Sequence, residues 1–170
     1  MNYSLFLLFN KTIIIGFGLD ITSNTYICNN DFFKQFTIWN IISMWLDCYN
    51  KQVIMNNITI CVMFHSMFLL DPKLIYKIPK RCGVSLGYFG IINIILHIIP
   101  FMYSVVYLKN NIVTINDLDI FNNLVYLLIW SVYVGFDYSI YSIDKCYYKY
   151  LFLVYFGCLG WYKNDFTYLK

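Results

Sequence analysis

GVSLGYFGIINIILHIIPFMYSVVYL, residues 83–108, is the stretch that decides the fold. With His97 neutral, it contains no ionised side chain. An α-helix rises about 1.5 Å per residue, so some 20 apolar residues cross the hydrocarbon layer of a bilayer. In water such a helix would need to sit at the centre of a large core. A chain of 170 residues with several further apolar runs has no such core to spare. The expected class is therefore all-α: a polytopic transmembrane helical bundle of four to six spans forming one domain.

Composition agrees with this reading. Charged residues make up 12% of the chain, against roughly 25% in soluble globular domains. Ala and Glu are absent, whereas Asn, Ile, Tyr and Phe abound. This bias matches an AT-rich codon supply, so Asn residues scattered through apolar runs are given little functional weight. The net charge of +3 is dispersed and forms no basic surface for a phosphate backbone, which argues against nucleic acid as a partner. The six cysteines form no CxxC pair and no metal-ligand spacing. No metal and no cofactor are expected.

Upstream of residues 83–108, Asp71-Pro72 ends a preceding helix, and Lys73, Lys77, Lys80 and Arg81 form a basic loop. The positive-inside bias assigns that loop to the cytoplasmic side. Residues 53–70 make the preceding span. Within it Asn57, Cys61 and His65 recur every four residues, so they share a helical face that should point into the bundle. Residues 34–46 form a shorter apolar helix, either re-entrant, interfacial or a short tilted span. Residues 3–21 are a retained first span, since the basic start and A-x-A site of a signal peptide are missing. Downstream, residues 118–136 and 147–162 complete the set of candidate spans, the last with Gly157 and Gly160 to allow close helix approach. The expected location is an integral, multi-pass protein of the endoplasmic reticulum or of a viral or host membrane.

Chemistry centres on His97. Pro100 lacks the N–H that would bond the Leu96 carbonyl, so the helix should kink beside His97. The bland reading of His97 is a core histidine bonded to Asn93 or to a backbone carbonyl. The sharper reading is a general base, which imidazole suits because it titrates near neutrality. Candidate nucleophiles are Thr37, Ser43, Ser66, Ser104 and the cysteines. His65 and His97 alone do not make a metal site.

Several motifs bear on this choice. Asp71-Pro72-Lys73-Leu74-Ile75-Tyr76, then Ile78-Pro79, then Asn93 and His97 followed by Pro100, resemble the androgen-induced, androgen-dependent family of small integral membrane hydrolases. Phe36-Thr37-Ile38 and the set Trp130, Gly135 and Tyr138 resemble further segments of that family. Lys73 stands where the family has Glu, and Ile94 and Ile98 replace a His and a Thr around the catalytic His. Pro100 comes two positions early, Ser139 replaces a Pro, and the Glu of the last span is absent. The resemblance implies about six spans and cleavage of fatty acid esters of hydroxy fatty acids. It casts Thr37 as nucleophile and His97 as base; Asn93 is an orienting residue by its position four residues earlier. Membrane lipids and a hydrophobic ester would be the partners. The alternatives are a non-enzymatic membrane scaffold or remodelling protein and, ranked last, a small transporter or channel.

Overall fold

The computed structural model describes residues 36–46, 50–111, 113–136 and 143–165, and these are helical with short connections. The candidate span at residues 3–21 lies outside them. The helices are α1 (Phe36–Leu46), α2 (Lys51–Leu70), α3 (Leu74–Cys82), α4 (Leu86–Asn93), α5 (Ile99–Asn110), α6 (Asp117–Tyr133) and α7 (Tyr148–Asp165). A π-helical turn, Ile94–Ile98, joins α4 to α5, and a 3₁₀ turn, Lys145–Tyr147, leads into α7. Two helices are long and apolar enough to cross a membrane, Lys51–Leu70 and the continuous Leu86–Leu108.

Local signals set the helix ends. Asn50 caps α2 by accepting from the Gln52 N–H at 2.9 Å. Ser85 caps α4 through the Tyr88 N–H. Asn116 and Asp119 form a reciprocal capping box at the start of α6. Gly83, with φ of 66°, ends α3 in the left-handed conformation that glycine adopts without steric cost.

The bundle is organised around α2, not around residues 83–108 as their length suggests. In the apolar window of α2, 61% of the residues are buried, against 33% for Leu86–Leu108. The reason is that α2 carries polar groups on more than one face, and side chains of each neighbouring helix pair with some of them. Asn40 of α1 donates to Asn57 Oδ1 at 2.6 Å, and Asn57 donates to Ser104 Oγ of α5 at 2.9 Å. On another side, Asn123 of α6 donates to Asn56 Oδ1 at 2.8 Å. Tyr155 of α7 donates in turn to the side-chain carbonyl of Asn123. Tyr162, one span of seven residues further along α7, donates to the Met55 carbonyl at 2.8 Å. Its oxygen therefore accepts from Thr59 at 3.0 Å. Each of α1, α5, α6 and α7 is thus tied to α2 by at least one chain of side-chain hydrogen bonds.

These contacts revise two expectations. Asn57 and Cys61 do face inward, but His65 is half-buried, and the buried Asn56 and Thr59 lie off that face. Gly157 and Gly160 do not mediate a close crossing, since a methyl group added at either meets open space. Among the described residues Cys61, Cys146 and Cys158 are free thiols. Outward, the helices present Ile91, Ile94, Met102, Leu128, Val132 and Leu153. Polar groups are gathered inside and apolar ones line much of the exterior.

Between the two long helices, α3 is pinned by Leu74, which packs with Met67, Ile143 and Leu151. Lys77 donates to Asp71 Oδ2 at 2.8 Å. That bond holds the Asp71 carboxyl below its ordinary range and raises the Lys77 ammonium above its own. The stabilisation from Asp71 is therefore present above the ordinary carboxylate value of about 4 and lost as pH falls through the depressed one. The stabilisation from Lys77 is present below the ordinary lysine value and lost as pH rises through the raised one.

Two measurements check this architecture. Asn57→Ala removes the partner of both Asn40 and Ser104 and is expected to destabilise the bundle by about 1–2 kcal/mol in reversible mixed-micelle unfolding. An unchanged midpoint would mean that those bonds do not hold the helices together. Carboxyl NMR of Asp71 should titrate nearer the ordinary aspartate value in Lys77→Gln than in the parent.

Candidate functional site

The site is built where α1, α2 and the π turn meet. Thr37 lies in the first described turn of α1, and three residues on, Asn40 points the same way to reach Asn57. Met44, a further turn along, packs on Val53 of α2. This face fixes α1 against α2 and buries Thr37, which is 4% exposed.

His97 is placed by Pro100. The expected break in the helix takes the form of a π turn: the Ile99 N–H bonds the Ile94 carbonyl, five residues back instead of four. A new α-helix then begins at Ile99, with Pro100 in its first turn, where a missing N–H is tolerated. His97 therefore lies within the widened turn. Its ring stacks on Phe64 of α2 with centroids 3.9 Å apart and planes 13° from parallel. It is buried, and Nδ1 has no hydrogen-bond partner.

Thr37 and His97 line one cavity of about 80 Å³. The walls around them are apolar and include Phe36, Ile60, Met63, Phe64, Leu127 and Trp130. The cavity continues past Met67 to Tyr148, Leu151 and Phe152 of α7. Phe36 closes one side by packing on Tyr126 and Trp130, with ring centroids 5.6 and 5.0 Å away. No hydrogen bond joins Thr37 to His97 among the described residues. Nor does Asn93 bond His97: its Oδ1 has no partner. The π turn alters the register between the two residues, so a four-residue spacing does not bring them together as it would in a regular helix.

The three serine candidates are engaged elsewhere. Ser43 bonds the Trp39 carbonyl at 3.0 Å and Tyr126 at 3.1 Å. Ser66 donates to the Val62 carbonyl at 2.7 Å, and Ser104 accepts from Asn57. Cys61 lies 3.6 Å from His65 Nδ1, which suggests a thiol–imidazole pair. However, the same nitrogen is 2.7 Å from the Cys61 carbonyl. A carbonyl only accepts, so Nδ1 carries the proton and offers the thiol no base. No group of three or more metal-ligating side chains occurs among the described residues.

The sequence did not point to Phe64 or Tyr148 as part of this site. Phe64 is one aromatic among many, and Tyr148 sits at the edge of a polar, Tyr-rich segment. Comparison with known proteins adds no assignment: no protein-family model, no curated protein and no solved structure matches the chain.

The stack on Phe64 has a direct signature. The ring protons of His97 should resonate upfield through the Phe64 ring current, and Phe64→Leu should return them to ordinary shifts. Identical spectra for the two proteins would show that the rings do not stack in solution.

Proposed function

We propose that the chain is a multi-pass integral membrane protein and that its apolar cavity hydrolyses a lipid-like ester. In this reading α6 and α7 cross the bilayer alongside α2 and the continuous α4–α5 helix. The outward apolar side chains of all four and the inward hydrogen bonds support it. With the half-length α1 and the run at residues 3–21, the chain is a bundle of four to six spans.

The observation that carries the chemical reading is the shared cavity. Of the hydroxyl groups nominated as nucleophiles, Thr37 alone among the described residues lines the cavity that also holds His97. His97 has no competing hydrogen-bond partner at Nδ1. The apolar walls suit an acyl chain, as expected for a small-molecule site with few polar groups. His97 takes the Thr37 hydroxyl proton as Oγ attacks the ester carbonyl carbon. The alcohol leaves with that proton and an acyl–threonine ester remains. A water molecule, deprotonated by His97, then attacks the acyl carbon and releases the carboxylic acid and free Thr37. The motif resemblance to the androgen-induced, androgen-dependent membrane hydrolases points the same way. The second reading, a non-enzymatic membrane scaffold, is favoured by one observation: among the described residues no Asp lines the cavity to orient His97.

The test is ester hydrolysis by the protein reconstituted in vesicles, using a fatty acid ester of a hydroxy fatty acid. Thr37→Ala and His97→Ala should each lower the rate by about 10²–10⁴-fold while the protein stays folded and membrane-retained after an alkaline wash. Activity that survives both substitutions removes the assignment. An inactive parent that is retained in the membrane favours the scaffold.

A further inference from the structure

The two ends of the bundle differ in charge. At one end stand α3, the start of α4, the end of α6 and the start of α7. The contact of Leu74 with Ile143 and Leu151 brings α3 to the start of α7, α4 follows α3 directly in the chain, and the pairing of Asp117 with Lys163 sets the start of α6 at the far end of α7. Lys73, Lys77, Lys80, Arg81, Lys145 and Lys149 gather there, against Asp71 and Asp144 among the described residues. At the opposite end Lys51 is paired with Asp119 at 3.1 Å and Lys163 with Asp117 at 3.0 Å.

Helix α3 is itself two-sided. At about 100° per residue, Leu74, Ile78, Ile75 and Pro79 fall on one arc, and Tyr76, Lys73, Lys77 and Lys80 fall on the other. Leu74 and Pro79 are buried in the bundle, whereas Ile75, between Ile78 and Pro79 on the apolar arc, is 43% exposed. Leu69, just before α3, is 84% exposed, and Leu86, just after it, is 48% exposed. On the basic arc Tyr76 is 68% exposed, and Lys73 and Lys80 are exposed and form no ion pair among the described residues. A helix with this pattern, set between two long apolar helices, has its apolar edge at acyl-chain depth and its cations at headgroup depth.

We propose that α3 is an interfacial helix that seats on anionic phospholipid headgroups, and that Lys73 and Lys80 are its contacts. The bundle then sits with this end in the more anionic leaflet, which in cellular membranes is the cytoplasmic one. The inference rests on the membrane-spanning reading given above but not on the hydrolase assignment.

The experiment uses the full chain in phosphatidylcholine vesicles doped with spin-labelled phosphatidylglycerol or spin-labelled phosphatidylcholine. The fraction of each probe immobilised at the protein surface is read by electron spin resonance. The anionic probe should be preferred about fivefold, the weight of a single lysine near a charged surface. The preference should fall toward one in K73Q/K80Q, and likewise for the parent in high salt, a condition that needs no variant to fold. K163Q, at the opposite end, should leave it unchanged. A preference that persists in K73Q/K80Q, or that high salt does not reduce, overturns the proposal, as does a parent with no preference. A protein released from the vesicles by an alkaline wash overturns the membrane-spanning reading and this inference together. Retention without lipid preference overturns this inference alone.

Discussion

Four amide side chains, Asn40, Asn56, Asn57 and Asn123, are buried in a bundle whose outer faces are apolar, and this constrains everything around them. A buried amide that finds no partner costs more than a hydrogen bond gains. The helices are therefore not free to rotate about their axes. Asn57 fixes α1 and α5 at once, and Asn56 fixes α6, which in turn fixes α7 through Tyr155. Apolar packing alone would tolerate many rotations of similar energy. The amide pairs reduce these to one arrangement in which Thr37 and His97 open on the same cavity.

Much of this fold was legible in the sequence. The runs at residues 34–46, 53–70, 118–136 and 147–162 correspond to helices Phe36–Leu46, Lys51–Leu70, Asp117–Tyr133 and Tyr148–Asp165. Apolar length with polar punctuation is a strong signal, and Asn50, Asp71-Pro72 and Asn116 act as local stops and starts. The choice of centre was not legible. Residues 83–108 are the longest apolar stretch, yet α2 is the helix that the others surround. Hydropathy ranks helices by how well they avoid water, whereas the central position goes to the helix whose polar groups have the most partners.

The site was legible only in outline. Thr37 and His97 are 60 positions apart in the sequence, and nothing in their spacing says that they share a cavity. Spacing set Asn57 on an inward face, but Asn40, Asn56 and Asn123 drew little weight because Asn is abundant throughout a compositionally biased chain. Their importance depends on which helix stands opposite, which is a tertiary property. Asn93 illustrates the reverse error: its spacing from His97 suggests a partner, and the widened turn between them removes it. Gly157 and Gly160 have the form of a packing motif but face open space.

The π turn before Pro100 also governs what the chain can tolerate in length. Each residue of an α-helix turns the chain by about 100°. The segment Ile94–Ile98 is wound more loosely, so it absorbs part of one residue's rotation before α5 begins. Deleting one residue there would let the turn close to an ordinary α turn and leave α5 near its present register, with Ser104 still beside Asn57 and Leu108 in the core cluster that it shares with Ile54 and Tyr155. Deleting a residue within α5 has no such slack to draw on and would rotate everything beyond it by about 100°. The π turn is thus the place in this helix where a change of length is absorbed, and its loss would return the Pro100 ring to the carbonyl four residues before it.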